Sequence, residues 1–267
     1  MADAHALAVP LPQPLTHLDL RACQHVAFLS DVHLHPDHAA THEAWQHHLQ
    51  TLRTDALFVL GDLFDVWLGD DVLDHPSGDF ERACLSRLRA FSQTTPVYWL
   101  VGNRDFLLGP AACALAGMTA ISDPCVVHAD DKPWLLSHGD ALCLSDTAYQ
   151  TYRQQMRSPQ GLAHLQALSL EARMQLARSL KDQSQTHKSQ TMDWVDVDEA
   201  ACRQWLDATE SQVLIHGHTH LPADHALGPH RTRVVLSDWD AQARPARLQS
   251  LEWQRGQGFR RRELLPA

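Results

Sequence analysis

Five short apolar runs, Val26 to Leu29, Leu57 to Leu60, Val97 to Val101, Trp134 to Leu136 and Val213 to Ile215, each stop abruptly at a cluster of Asp, Asn, His and Gly. Runs this short, bounded by turn-forming residues, read as buried strands. Between them lie helix-length stretches, among them Thr41 to Thr54 and Phe80 to Gln93. Strands alternating with helices predict a layered α/β fold. Sheets of that class gather ligands beyond the carboxyl ends of their strands, so the polar clusters form the candidate site.

The chain has 267 residues, which suits one α/β domain carrying an insertion, since such enzymes run to about 250 residues as single domains. With 44% hydrophobic and 20% charged residues, it can bury a core without disulfides or structural metals. A net charge of -10 gives no basic face for phosphate counterion displacement, so no nucleic-acid partner is expected. It leaves room for a small anionic substrate, because a bound metal pair outweighs the global field locally. Cys23, Cys84, Cys113, Cys125, Cys143 and Cys202 are scattered without a C-x-x-C pair, which fits a reducing cytoplasm. The first 24 residues lack a basic n-region, and Pro10, Pro12 and Pro14 interrupt any apolar stretch, so no signal peptide is expected. No apolar run approaches the roughly 18 to 20 residues that span a bilayer.

The expected organisation is a leader at 1–24, a core at 25–144 and 192–250, a helical insertion at 145–191 and a C-terminal tail at 251–267. From Asp146 to about Arg178 the sequence turns rich in Gln, Arg, Leu and Ala at helical spacing, interrupted at Ser158-Pro159-Gln160-Gly161. A polar stretch follows from Lys181 to Thr191, and the next helix is expected to start near Asp198. Arg255, Arg260, Arg261 and Arg262 in the tail read either as a solvated end or as a contact with an anionic membrane surface.

Asp31-Val32-His33 follows the first run at i, i+2 spacing, which in an extended chain sends both side chains to one side. Alone, D-x-H is a pattern that chance supplies often. Gly61-Asp62 follows the second run, and the aspartate can offer its two oxygens to two cations about 3.5 to 4 Å apart. Its plainer reading is a turn or N-cap aspartate. Gly102-Asn103-Arg104-Asp105 follows the third run. Asn103 can ligate through its amide oxygen and Arg104 offers a planar fork for phosphate oxygens, whereas the plainer reading pairs Arg104 with Asp105. Ser137-His138-Gly139-Asp140 follows the fourth run and His216-Gly217-His218-Thr219-His220 the fifth. Chance does not supply five such clusters in series, each at a strand end. The mixed N/O donor set suits Mn, Fe or Zn better than Mg or Ca alone.

The series D-x-H, G-D, G-N, H-G-D and G-H-x-H resembles the signature of calcineurin-like metallophosphoesterases, over about residues 26 to 222. The resemblance implies a layered sandwich of mixed β-sheets flanked by helices, with a helical cap insertion, and two divalent metal ions, manganese foremost. By position, Asp31, His33 and His220 would hold one ion, Asn103, His138 and His218 the other, and Asp62 would bridge. Many members carry histidine after the asparagine, where this chain has Arg104, which removes the usual candidate general acid. G-N-R-D-F-L-L-G at 102–109 instead resembles the UDP-2,3-diacylglucosamine pyrophosphatases of lipid A biosynthesis, as do F-L-S-D-V-H-L at 28–34, G-D-L-F-D-V-W-L-G-D-D at 61–71, H-G-D-A-L-C at 138–143 and I-H-G-H-T-H-L-P at 215–222.

For that subgroup the implied reaction is water attack on the α-phosphorus of UDP-2,3-diacylglucosamine, releasing UMP and 2,3-diacylglucosamine 1-phosphate. Asp62, Arg104 and His218 would serve catalysis, the last two steadying the attacked phosphoryl group. Substrate contacts would include Asn103, Arg104, His218, Asp146 and Tyr149, and in the polar stretch Gln183, His187, Lys188 and Gln190, where the match is loosest. The apolar residues of the insertion, Leu162 to Leu176, serve either plain packing or the acyl chains. A bilayer substrate implies peripheral association with the cytoplasmic face of the inner membrane, and a monomer is the simplest assembly. The rival expectations are a metallophosphoesterase acting on another nucleotide or phosphodiester, and a noncatalytic scaffold of the same fold.

Overall fold

The structure, a computed structural model, describes residues 8–129, 131–179 and 195–264. Two six-stranded mixed sheets stack face to face. The elements in chain order are β1 (Thr16–Asp19), β2 (His25–Leu29), α1 (Ala39–Thr51), β3 (Ala56–Leu60), α2 (Asp79–Ser92), β4 (Val97–Leu100), α3 (Pro110–Ala116), β5 (Met118–Ala120), β6 (Cys125–His128) and β7 (Trp134–Ser137). They continue with α4 (Thr147–Met156), α5 (Pro159–Ala167), a helix α6 at 170–179, α7 (Glu199–Ala208), β8 (Val213–His216), β9 (Asp224–Ala226), β10 (Thr232–Val235), β11 (Gln249–Gln254) and β12 (Gly258–Glu263). One sheet has the order β1-β6-β7-β8-β10-β9 and the other β12-β11-β2-β3-β4-β5.

The period-2 alternation of a strand divides each run between two faces. On β2 and β3, Val26, Phe28, Ala56, Phe58 and Leu60 face the opposite sheet and pack with Trp134, Leu136 and Ile215. Their neighbours Ala27, Leu29, Leu57 and Val59 face outward and pack with α1 and α2 through Trp45, Leu49, Leu85 and Leu88. The outer face of the first sheet does the same, Val126, Leu135 and Leu214 packing on Trp205 and Leu206 of α7. Runs buried on both faces read as continuous hydrophobic segments because neither face meets water. Across the register Phe28, Phe58 and Tyr98 stack, with ring centroids 5.4 and 5.0 Å apart, and Trp134 meets Trp253 edge to face at 5.0 Å between the sheets.

The five strands expected from the apolar runs are β2, β3, β4, β7 and β8, and α1 and α2 occupy the two expected helical stretches. α7 begins after Asp198, whose side chain accepts from Ala201 N at 2.8 Å. Ser158-Pro159-Gln160-Gly161 is the cap and first turn of α5, with Gly161 N donating to Ser158 Oγ at 3.0 Å.

The termini differ from their description as leader and tail. β1 pairs parallel with β6, and Val9, Leu11 and Leu15 pack beside α7, where Trp205 Nε1 donates to Val9 O at 2.7 Å. Residues 249–263 form the hairpin β11–β12, with β11 antiparallel to β2. Arg255 donates to the carbonyls of Arg21, Cys23 and Ala129, Arg261 to Val235 O, and Arg262 to Glu252. Charged side chains on the exposed face of an edge strand hide its alternation from hydropathy. Among the described residues all six cysteines are free, and no helix is long and apolar enough to cross a membrane.

Candidate metal centre

β2, β3 and β4 run parallel, as do β7 and β8, so each set delivers its carboxyl ends together. Backbone bonds knit these ends together: Gly217 N donates to His138 O at 3.0 Å within the first sheet, and Trp239 N donates to Asp31 O at 3.0 Å, joining the first sheet to the second. His218 N donates to Asp31 Oδ2 at 2.9 Å, seating the fifth cluster on the first.

All seven residues expected as ligands converge. Asp31 Oδ1 lies 3.2 Å from His220 Nε2 and 3.9 Å from His33 Nε2, and the two Nε2 atoms are 3.4 Å apart. Beside this group, Asn103 Oδ1 lies 2.9 Å from His138 Nε2 and 2.7 Å from His218 Nδ1. Asp62 Oδ1 is 3.7 Å from His138 Nε2. Asp31, His33 and His220 form one set of donors close enough for a single ion, and Asp31, Asp62 and His138 form another, so Asp31 belongs to both. Asp31, Asp62 and His138 are fully buried.

The electrostatics follow from packing carboxylates and imidazoles away from water. Burial alone pushes the Asp31 carboxyl up, but the rings of His220, His138 and His33 overcome it and hold Asp31 well below the usual carboxylate range. Burial wins at Asp62, which rises to about 7 against the pull of His138 and Arg104. Burial also lowers imidazoles: His218 falls to about 3, and His33, with Arg104 adding to the effect, falls well below its ordinary value. At His138 burial is outweighed by Asp62, Asp31 and Asp140, and it rises to about 9. His220 is raised by Asp31 and Asp238 against its burial.

These donors fit a pair of divalent cations. The two Nε2 atoms of His33 and His220, at 3.4 Å, cannot both carry a proton, so they either share one or turn their lone pairs toward a cation. His138 commits its Nδ1 proton to Leu60 O, so its neutral ring turns the Nε2 lone pair toward the Asn103 amide oxygen at 2.9 Å, an opposition of two acceptors that a cation lying against both relieves. The back of the site is braced as ligating groups require: His138 Nδ1 is 2.9 Å from Leu60 O, and His220 Nδ1 is 3.7 Å from Asp238 Oδ2.

Arg104 stands at the mouth, about one-third exposed, its Nη1 donating to Asp65 Oδ1 at 2.6 Å and its Nε 3.7 Å from Asp62 Oδ2. It does not pair with Asp105. That carboxylate is buried and accepts from Gly102 N at 2.8 Å and Leu63 N at 2.9 Å, shaping the loops that carry Asn103 and Asp62. Asp146 caps α4 by accepting from Tyr149 N at 2.9 Å. The Tyr149 ring lies 5.8 Å from the His218 ring, and its hydroxyl donates to Asp140 Oδ2 at 2.5 Å. Gln183, His187, Lys188 and Gln190 lie outside the described residues.

Asp65, Asp105, Asp140 and Asp238 escaped sequence reasoning as parts of the site. Asp65, Asp105 and Asp140 stand inside or just after the ligand clusters, where a buried acceptor has no distinguishing spacing. Asp238 lies in Ser237-Asp238-Trp239-Asp240, which follows β10 just as the other clusters follow their strands. That position was the available signal.

Known proteins place this centre in a family. The family model described as calcineurin-like phosphoesterase matches residues 24–222. The chain is 42% identical over 221 residues to the UDP-2,3-diacylglucosamine hydrolase of Chromobacterium violaceum, covering 80% of this chain and 90% of that protein. It is 39% identical over 224 residues to the enzyme of the same name from Pseudomonas aeruginosa, covering 81% and 92%. Identity is 36% over 251 residues to that from Ectopseudomonas mendocina, covering 91% and 100%. The chain belongs to the calcineurin-like phosphoesterase family and, within it, groups with the UDP-2,3-diacylglucosamine hydrolases.

Proposed function

We propose that this chain hydrolyses UDP-2,3-diacylglucosamine to UMP and 2,3-diacylglucosamine 1-phosphate by attack of water on the α-phosphorus. It works on the cytoplasmic face of the inner membrane as a peripheral protein and a monomer. The observation that carries the proposal is the convergence of Asp31, His33, Asp62, Asn103, His138, His218 and His220 beside an arginine fork. Asp31, His33 and His220 would hold one manganese ion and Asn103, His138 and His218 the other, with Asp62 between them. Such a pair, when bound, lowers the pKa of water toward neutrality and draws charge from phosphoryl oxygens.

The chain's own groups do the rest. Asp65 holds the Arg104 guanidinium outward, so its free N–H groups can engage the non-bridging oxygens of the diphosphate. His218, held beside Asn103, faces the same phosphoryl group. Water attack on the α-phosphorus breaks its bond to the bridging oxygen and expels the acylated sugar 1-phosphate, a good leaving group, so the absence of a general-acid histidine at position 104 is tolerated. Residues 145–191 would act as a cap: Leu170 and Met174 of α6 pack with Leu68, Trp67, Leu107 and Leu108 of the loops beside the metal centre, an apolar seam suited to acyl chains.

Asp62→Ala or His138→Ala, assayed on UDP-2,3-diacylglucosamine with manganese, should lose at least about a hundredfold in turnover. Unchanged turnover would defeat the proposal.

A further inference from the structure

Asp140, which ends the H-G-D cluster, is a fully buried carboxylate that belongs to no ligand set. Its Oδ2 collects three donors from one helix and the residue that ends it. The Tyr149 hydroxyl is at 2.5 Å, Arg153 Nε at 2.9 Å and Arg157 Nη2 at 2.9 Å. Residues 149, 153 and 157 recur at i, i+4, i+8, one stripe of a helix. That stripe touches three ligand-bearing segments. Through Asp140 it holds the loop of His138. Arg157 Nη2 also donates to Gly102 O at 2.9 Å, the carbonyl just before Asn103. The Tyr149 ring leans on the His218 ring at 5.8 Å. Asn103, His138 and His218 are the three residues that crowd around a single point, the Asn103 amide oxygen.

We infer that α4 is a positioning helix for this half of the metal centre: the stripe Tyr149, Arg153 and Arg157, gathered on Asp140, fixes the separation of Asn103, His138 and His218. The inference rests on the proposed metal-dependent hydrolysis, but not on the lipid substrate. It reassigns Tyr149. A hydroxyl donated at 2.5 Å to a buried carboxylate is committed to the protein, so Tyr149 orients a ligand rather than binding substrate. A buried carboxylate with three donors also explains why the helix after the fourth cluster begins where it does. Asp146 caps α4 so that its first turn sets Tyr149 over Asp140.

The test compares Arg157→Met, Arg157→Lys and Tyr149→Phe with the native chain. The readouts are Mn2+ binding by loss of the aqueous Mn2+ paramagnetic resonance signal, thermal melting, and kcat and KM on UDP-2,3-diacylglucosamine and on bis(p-nitrophenyl) phosphate. Orienting partners of ligands are worth about 10- to 100-fold in metal affinity. Arg157→Met should therefore weaken one of two Mn2+ sites at least about tenfold, with Arg157→Lys recovering part of the loss. It should lower kcat on both substrates, leave KM for the lipid unchanged, and regain kcat in excess Mn2+.

An unchanged Mn2+ isotherm with only a lower melting temperature would overturn the inference in favour of a plain structural clamp. A rise in KM for the lipid alone would overturn it in favour of substrate contact. If Arg157→Met does not fold, Tyr149→Phe decides. It keeps the ring and loses one donor, and native Mn2+ affinity in that variant overturns the inference. If the native chain cleaves the small diester but not the lipid, the proposed substrate fails while the Mn2+ isotherms still decide the role of α4.

Discussion

Asp31, His33, Asp62, His218 and His220 all hold the left-handed backbone conformation, with φ between 51° and 67°. Non-glycine residues there cost on the order of 1 kcal/mol each, and such strain collects where a site over-determines the backbone. The physical benefit is direction: a chain leaving a strand in this conformation turns its side chain back over the strand end. The close approach of the loops is served by glycine. A Cβ at Gly217 would fall 2.0 Å from Ser30 Oγ and 2.2 Å from Asp31 Oδ2. Because His218 N donates to that same Oδ2, a displaced Asp31 carries the fifth cluster with it. Gly217→Ala should thus keep the fold by circular dichroism yet lose at least one of two Mn2+ sites in titration calorimetry. Full stoichiometry at native affinity would show that the loops yield to a methyl group. The ligands themselves were legible from chemistry and spacing, because donor type and strand-end position are local properties. Their left-handed geometry was not, since aspartate and histidine carry no mark of it and only the adjacent glycines hint at crowding.

At the scale of elements, the strands that deliver ligands were legible because they are buried on both faces and stop at polar clusters. β1, β5, β6 and β9 to β12 were not. β12 reads Gly-Phe-Arg-Arg-Arg-Glu and is half exposed, and β9 is three residues long, so neither has the continuous apolar run that marked the others. The insertion was legible as helical, but not the way its two ends do different work. α4 grips the metal loops through Asp140, whereas α6 is fastened further out. Arg173 on α6, nearly buried, donates to Leu68 O at 2.5 Å and pairs with Asp71, both in the loop after the second cluster. Asp71 is about half exposed, so the ion pair itself adds little, and the main loss on removing Arg173 is its charged hydrogen bond to Leu68 O, worth about 1.5 to 3 kcal/mol. Arg173→Leu is expected to loosen α6, raising KM for UDP-2,3-diacylglucosamine about tenfold, while hydrolysis of bis(p-nitrophenyl) phosphate stays near native. An equal loss on both substrates would place α6 with α4 as a support of the metal centre and refute its role over the acyl chains.

Across the whole molecule, the buried donor set links metal, proton and fold. In protein stripped of metal by a chelator, His138 sits at about 9 against an ordinary 6.5. A raised imidazole stabilises the fold fully below pH 6.5, and that contribution is lost as pH climbs through 9. Asp62, raised by burial to about 7, acts in the same direction, because the fold favours its neutral form and declines as it ionises. On the acid side His48, His216 and His218, lowered by burial to about 4, 4 and 3, contribute stability present above 6.5 and lost as pH falls through those values. The chelated protein should therefore be most stable near about pH 6.5 and lose on the order of 3 kcal/mol by pH 9 from His138 alone. Manganese reverses the alkaline limb. Binding needs neutral imidazole and ionised carboxylate, so each step up in pH removes a competing proton and strengthens the ion's hold on the native state. Differential scanning calorimetry in matched buffers should show the gap in melting temperature between Mn2+-loaded and chelated protein widening steadily from pH 6.5 to 9. A gap that stays constant or narrows would mean that the proton on His138 and the ion do not compete for one set of atoms, and the shared-donor picture of this centre would fail with it.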